Sequence, residues 1–345
     1  MSERKRVREL GIIIGNAAPG QLNAITDVPG VLVGHSTLYE PDKGFATGVT
    51  AILPHSDNTF YRKVRAGSHI INGFGKPIGL VQISELGTIE TPIILTNTLQ
   101  VGMAADTLIR YMLARTPEIC SSSGTVNPVV LECCDMYLSD SRSLPLGSEH
   151  ILQAVNSAKG GVVPQGCVGA GMGMRCLRFK SGIGTASRII SSKHGKYILG
   201  VLVLSNFGHY ETDCLLINGV KIPSPDKGEP LDPASSIIVV IATDAPLDAR
   251  QLSRISSRTQ AGIAKVGSVF TNASGDFAVA FTTSNEMPIE DKDMELYFCA
   301  CVEVAEEAIL DSIFCATTTR GYKGHISHAI DSQQALQLLQ SHKQR

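Results

Sequence analysis

Two periodicities divide the chain. Short apolar runs rich in Val and Ile, bounded by Gly, Pro or Asn, fall at 31–33, 78–83, 92–95, 128–131, 198–204, 237–242 and 277–282. Their length and β-branched character predict buried strands. Longer stretches in which apolar residues recur every three or four positions, at 103–115, 149–158, 246–266, 294–313 and 325–342, predict helices. Thr243 and Asp244 are candidate N-caps for the third of these, with Pro246 in its first turn. The acidic run 290–293 suits the positive end of the fourth. Helices fall between groups of strands rather than after each one, which predicts an α+β arrangement. One stretch, 221–236, fits neither period: it carries four prolines and mixed charges and reads as a surface loop or a boundary between units.

Composition narrows the class. The chain has 345 residues, 43% of them hydrophobic, and 33 glycines. That is enough for two domains or one large one with a sizeable core. Lys and Arg number 30 against 32 Asp and Glu. Without a basic excess, neither a nucleic-acid partner nor a membrane-surface partner is expected. Nine cysteines occur without any C-x-x-C pair, so zinc is not expected, and reduced, mostly buried thiols are. The basic N-terminus is followed by a short apolar patch at 10–14, less than the ~7–15 residues of a secretory core. No run approaches the ~20 apolar residues of a membrane span. A cytoplasmic protein is the expectation.

Most candidate chemistry is weak. The glycines of 169–173 do not have G-x-G-x-x-G spacing, no H-E-x-x-H occurs, His325 and His328 fall in the expected terminal helix, and no G-x-S-x-G elbow is present. The junction at 232–244 is different, because two serines stand where the Pro-rich loop meets a strongly apolar strand. A polar strand entry explains this. So does self-cleavage, in which the Ser236 hydroxyl attacks the preceding carbonyl and water opens the resulting ester. The freed α-amine, with an ordinary pKa of roughly 7.7–8.0, then serves as base for the same hydroxyl. Such a nucleophile needs no histidine.

The chain resembles the self-processing family of L-aminopeptidase/D-amidase-esterases and β-peptidyl aminopeptidases (peptidase family S58). Seven segments carry the resemblance in order: Asn23-Ala-Ile-Thr-Asp-Val-Pro-Gly-Val-Leu-Val-Gly-His, Thr91-Pro-Ile-Ile-Leu-Thr-Asn-Thr, Asn127-Pro-Val-Val, Val168-Gly-Ala-Gly-Met-Gly-Met, Gly182-Ile-Gly-Thr-Ala-Ser, Ser236-Ile-Ile-Val-Val-Ile-Ala-Thr-Asp-Ala-Pro-Leu and Ser274-Gly-Asp-Phe-Ala-Val-Ala-Phe. The resemblance implies a four-layer αββα sandwich of the N-terminal-nucleophile type. It implies one globular domain, 1–345, cut into 1–235 and 236–345, and a homo-oligomer of the processed units. Substrates would be small peptides, amides or esters, with no cofactor and no metal. Ser236 matches the nucleophile, with Ser235 and Ser236 flanking the cut. Asn206 matches the oxyanion-binding amide. Ser274 and Asp276 match a Ser-x-acid element that would bind the amine and hydroxyl of Ser236. Tyr137 matches a hydroxyl that assists near the oxyanion, and Glu132 is the anchor for a substrate ammonium.

Two positions depart from the family pattern. Ser235 stands where glycine is usual, and its Cβ narrows the backbone conformations open to a cleavage turn, which predicts slower processing or a cut shifted by one residue. The segment 80–85 lacks an aromatic common in the family, which predicts a different substrate preference. An acyltransferase of related architecture and an unprocessed binding protein remain open as alternatives.

Overall fold

The structure is a computed structural model that describes residues 4–193, 195–208, 214–225 and 235–343. Most of the expected processing loop, 226–234, lies outside the described residues.

In chain order the first half contains β1 (Leu32–Glu40), β2 (Phe45–Leu53), β3 (Val64–Gly73), α1 (Leu80–Leu86), β4 (Thr88–Ile89), β5 (Ile93–Asn97), α2 (Val101–Arg115), β6 (Val129–Cys133) and α3 (Ser148–Asn156). There follow the short β7 (Arg175–Cys176) and β8 (Phe179–Lys180), then the long β9 (Ile183–Ser192) and β10 (Gly195–Asn206). The small hairpin β11 (Leu215–Ile217) and β12 (Val220–Ile222) precedes β13 (Ser235–Thr243), α4 (Ala249–Lys265), β14 (Ser274–Thr282), α5 (Glu295–Phe314) and α6 (Ser332–Lys343).

Two sheets face each other. One has the order β1-β2-β5-β6, the other β4-β3-β14-β13-β10-β9. The side-chain period of two explains why the central strands are apolar on both faces. In β13, Ile238, Val240 and Ala242 meet Leu131 and Leu95 between the sheets, whereas Ile237, Val239 and Ile241 meet α4 and α5 through Ile255, Val304 and Ile309. In the smaller sheet, Ile93 and Leu95 face the other sheet, and Ile94 faces α2 and α3 through Ala104, Leu108 and Ile151. The layers are therefore helix, sheet, sheet, helix, as the resemblance implied.

Several boundaries differ from the sequence reading. The run 78–83 is not a strand: Gly79 and Gly87, both at positive φ, bracket a short helix whose Leu80 and Ile83 point inward while Val81 stays 86% exposed. A spacing of three is too short to separate from a strand by composition. The helix expected from 246 begins at Ala249, because Asp248 forms a capping box with Gln251. Asp244 instead accepts the Ile198 N–H across the sheet. The helix expected at 325–342 is only Ser332–Lys343, so His325 and His328 precede it. All nine cysteines are free, but only Cys133, Cys176 and Cys301 are buried, and Cys120 and Cys299 are exposed.

Candidate active site

Strand register builds the site at one end of the six-stranded sheet. Antiparallel pairing sets Asn206 opposite Ser236, and parallel pairing sets Ser235 beside Ser274 and Ser236 beside Gly275. A bulge in the β14–β3 pairing lies between Asp276 and Phe277, where strand ends are re-aimed. Ser235, Ser236, Asn206, Ser274 and Asp276 are all at most 4% exposed.

The Ser236 hydroxyl donates to the carbonyl oxygen of Ser235 at 2.6 Å, so the nucleophile expected from sequence rests against the carbonyl it would attack. Asn206 is held at both ends of its amide. The Arg175 N–H donates to its Oδ1 at 3.0 Å, and its Nδ2 donates to the Cys134 carbonyl at 2.8 Å. With Oδ1 fixed as acceptor, Nδ2 carries a second N–H for an oxyanion.

Ser274 donates to Asp276 Oδ1 at 2.7 Å and lies 3.2 Å from Ser235 Oγ. In this uncut chain it meets Ser235 rather than Ser236, a difference from the expected contact. The reason is the pleat: Ser235, Ser274 and Asp276 share one face, and Ser236 shares the other with Gly275. Burial pushes the Asp276 carboxyl up to about 6, against the opposing hydrogen bond from Ser274. Among the described residues its Oδ2 has no hydrogen-bond partner. Burial likewise drives the Cys133 thiol well above its ordinary value, which leaves it a neutral wall residue.

Glu132 is buried in β6. Its Oε1 accepts the Lys76 N–H at 2.9 Å, and its Oε2 accepts the Thr98 hydroxyl. The turn carrying Lys76 also touches the nucleophile's neighbours. A Cβ on Gly75 would stand 2.4 Å from Phe277 and 3.2 Å from Glu132 Oε1, so only glycine lets this turn pass. Tyr137 is set one step further out, with the Arg175 guanidinium over its ring at 3.7 Å and the His325 ring stacked on it at 4.5 Å.

Sequence reasoning missed three participants: Arg175, Thr98 and the Lys76 amide. Thr98 ends the segment that begins at Thr91, and Arg175 directly follows the 168–174 segment, so adjacency was the available signal. The Lys76 amide is backbone and leaves no residue-type trace.

The sequence profile of Peptidase family S58 matches residues 23–327. The chain is 36% identical to the beta-peptidyl aminopeptidase BapA of Sphingosinicella xenopeptidilytica, across 97% of this chain and 91% of that protein. Its namesake from Sphingosinicella microcystinivorans is 35% identical, across 94% and 89%. Among solved structures, the PH0078 protein of Pyrococcus horikoshii OT3 superposes with a TM-score of 0.92 at 44% identity, covering 98% of this chain and 99% of that one. The L-aminopeptidase D-Ala-esterase/amidase of Ochrobactrum anthropi, described as a variant of the Ntn hydrolase fold, does so with a TM-score of 0.90 at 34% identity and the same coverage. The chain belongs to peptidase family S58 and is a serine aminopeptidase/amidase.

Proposed function

We propose that the chain is a precursor that cuts its own 235–236 bond and then works through Ser236 as an N-terminal nucleophile. The observation that carries this reading is the Ser236 hydroxyl seated 2.6 Å from the Ser235 carbonyl oxygen, with Asn206 opposite it in the sheet. In the cut, Oγ adds to the Ser235 carbonyl carbon, the C–N bond breaks as its nitrogen takes the proton, and water opens the ester. The freed amine is the Ser236 nitrogen, adjacent to Ser235, which lies beside Ser274 in register and would end in the new carboxylate. The Ser274–Asp276 hydrogen bond and the open Asp276 Oδ2 support these two residues as the amine's partners.

In turnover the amine takes the Ser236 proton as the hydroxyl attacks a substrate carbonyl, then passes it to the departing amine. Asn206 and Tyr137 stabilise the oxyanion, an acyl-enzyme forms, and water resolves it. Glu132 anchors the substrate's free ammonium. Substrates are small peptides, amides or esters with a free N-terminus, consistent with a relative named for β-peptides and another for D-Ala esters and amides. The same proposal includes no metal or organic cofactor, a cytoplasmic enzyme and a homo-oligomer of processed units.

Intact mass of the purified protein tests it. Two chains of 235 and 110 residues (345 − 235 = 110) are expected, the shorter beginning at Ser236. Ser236→Ala is expected to remain whole. A wild-type chain that stays whole on long incubation, or an Ala variant that still splits at this bond, overturns the proposal. A mass corresponding to a cut before Ser235 assigns the nucleophile to Ser235 instead.

A further inference from the structure

Arg175 touches both groups assigned to the oxyanion. Its backbone N–H donates to Asn206 Oδ1 at 3.0 Å, and its side chain lies over the Tyr137 ring with Cζ 3.7 Å from the centroid. The residue is 2% exposed, so this cation acts on the ring with little water between them. The opposite contact is His325, stacked at 4.5 Å with an interplanar angle of 17°. Its Nδ1 lies 2.8 Å from the Tyr137 carbonyl oxygen, and a carbonyl only accepts, so Nδ1 carries a proton. The Tyr137 ring is thereby fixed in plane by His325 and in electrostatics by Arg175.

A guanidinium on the face of a phenol stabilises charge that develops on its oxygen. The O–H becomes a stronger donor to an oxyanion, and the phenol ionises at lower pH. Arg175 opens the two-residue β7, which pairs with β8, and its backbone N–H ties that hairpin to Asn206. One residue thus sets the amide and tunes the hydroxyl. We infer that the Arg175 side chain is a positioning residue for the Tyr137 hydroxyl, while its backbone N–H, which any residue would supply, holds Asn206. The inference rests on the assignment of Asn206 and Tyr137 proposed above.

The test uses the processed enzyme and a chromogenic aminoacyl anilide, with Arg175→Met, Arg175→Lys, Tyr137→Phe and the Arg175→Met/Tyr137→Phe pair. Arg175→Met is expected to lower kcat about tenfold with KM within about twofold. Arg175→Lys, which keeps the cation, is expected to recover part of that loss and supplies the measurement should the Met variant not fold. The Tyr137 phenol, followed by ultraviolet absorbance against the Tyr137→Phe background, is expected to ionise about one pH unit higher without the cation. The double variant is expected to be no slower than Tyr137→Phe alone. Losses that multiply in the double variant, or an unmoved phenol titration, overturn the role given to Arg175 while leaving the oxyanion assignment standing. A Tyr137→Phe enzyme with unchanged kcat overturns the assignment of Tyr137 itself.

Discussion

At the scale of single residues, Asp276 is the group whose state the uncut and cut chains should hold differently. Its carboxyl titrates at about 6 against an ordinary 3.8 because burial penalises the charged form. An acid raised in this way is protonated more readily folded than unfolded, so stability falls as pH rises from about 4 to 6 and the loss is complete above that window. The gap corresponds to about 3 kcal/mol at most. In an uncleavable Ser236→Ala chain, adding Asp276→Asn is therefore expected to raise stability at pH 7 by one to a few kcal/mol, on the order of that gap, with no gain at pH 4. Equal urea midpoints at both pH values would show that the buried carboxyl carries no such penalty. The same penalty would give the proposed cut a direction, since a new ammonium beside the carboxylate would offset it. The groups proposed to react, Ser236, Asn206, Ser274 and Asp276, stand out in the sequence through the family resemblance, and the structure sets them at adjacent register positions at one end of the sheet, with Ser274 meeting Ser235. The partners that hold them do not stand out, because a backbone N–H at Lys76 or Arg175 looks the same in every sequence.

At the scale of elements, the sequence reveals the most deeply buried segments and hides those with mixed faces. β13 and β14 are buried at every position, and their apolar runs stand out. β3 does not, since its pattern runs through Arg65, Ser68, His69 and Asn72 along a strand only partly covered. β9 escapes for another reason: it reads Ile-Gly-Thr-Ala-Ser-Arg, small and polar, because α5 lies almost on its backbone. A Cβ at Gly184 would stand 1.9 Å from the Ala308 carbonyl oxygen. Gly184→Ala is accordingly expected to cost about 2 kcal/mol or more by forcing strand and helix apart. A urea midpoint within experimental error of wild type would show that the layers are not in contact there.

At the scale of the whole molecule, the N-terminal segment is tied to the helical layer by buried charge. Arg188 is fully buried, with Nε 2.9 Å from Glu303 and Nη2 2.6 Å from Glu307. Arg8 reaches Glu307, and Arg6 reaches Asp311. Burial would push the Glu307 carboxyl up, but Arg8, Arg188 and Asn23 together hold it below its ordinary range. A depressed acid gives stability that is present above its unfolded pKa and lost as pH falls through the folded one. Arg188→Met is thus expected to cost about 3–5 kcal/mol at neutral pH, and less in acid, where the stranded carboxylates take up protons. A penalty independent of pH would mean packing, not charge, is what Arg188 supplies.

The strand order has a further consequence. β14 and, from Ser236 onward, β13 lie C-terminal to the proposed cut and are the two innermost strands of their sheet, with β3 and β4 on one side and β10 and β9 on the other. Severing the 235–236 bond would leave two polypeptides laced through each other, neither owning a complete sheet. Assembly of that sheet is unimolecular only while the bond is intact. Once it is gone, reassembly depends on concentration, so the mature enzyme would have been folded by a connectivity it no longer has. Maturation would then act as a ratchet, and a denatured mature sample would regain activity far less readily than a denatured precursor.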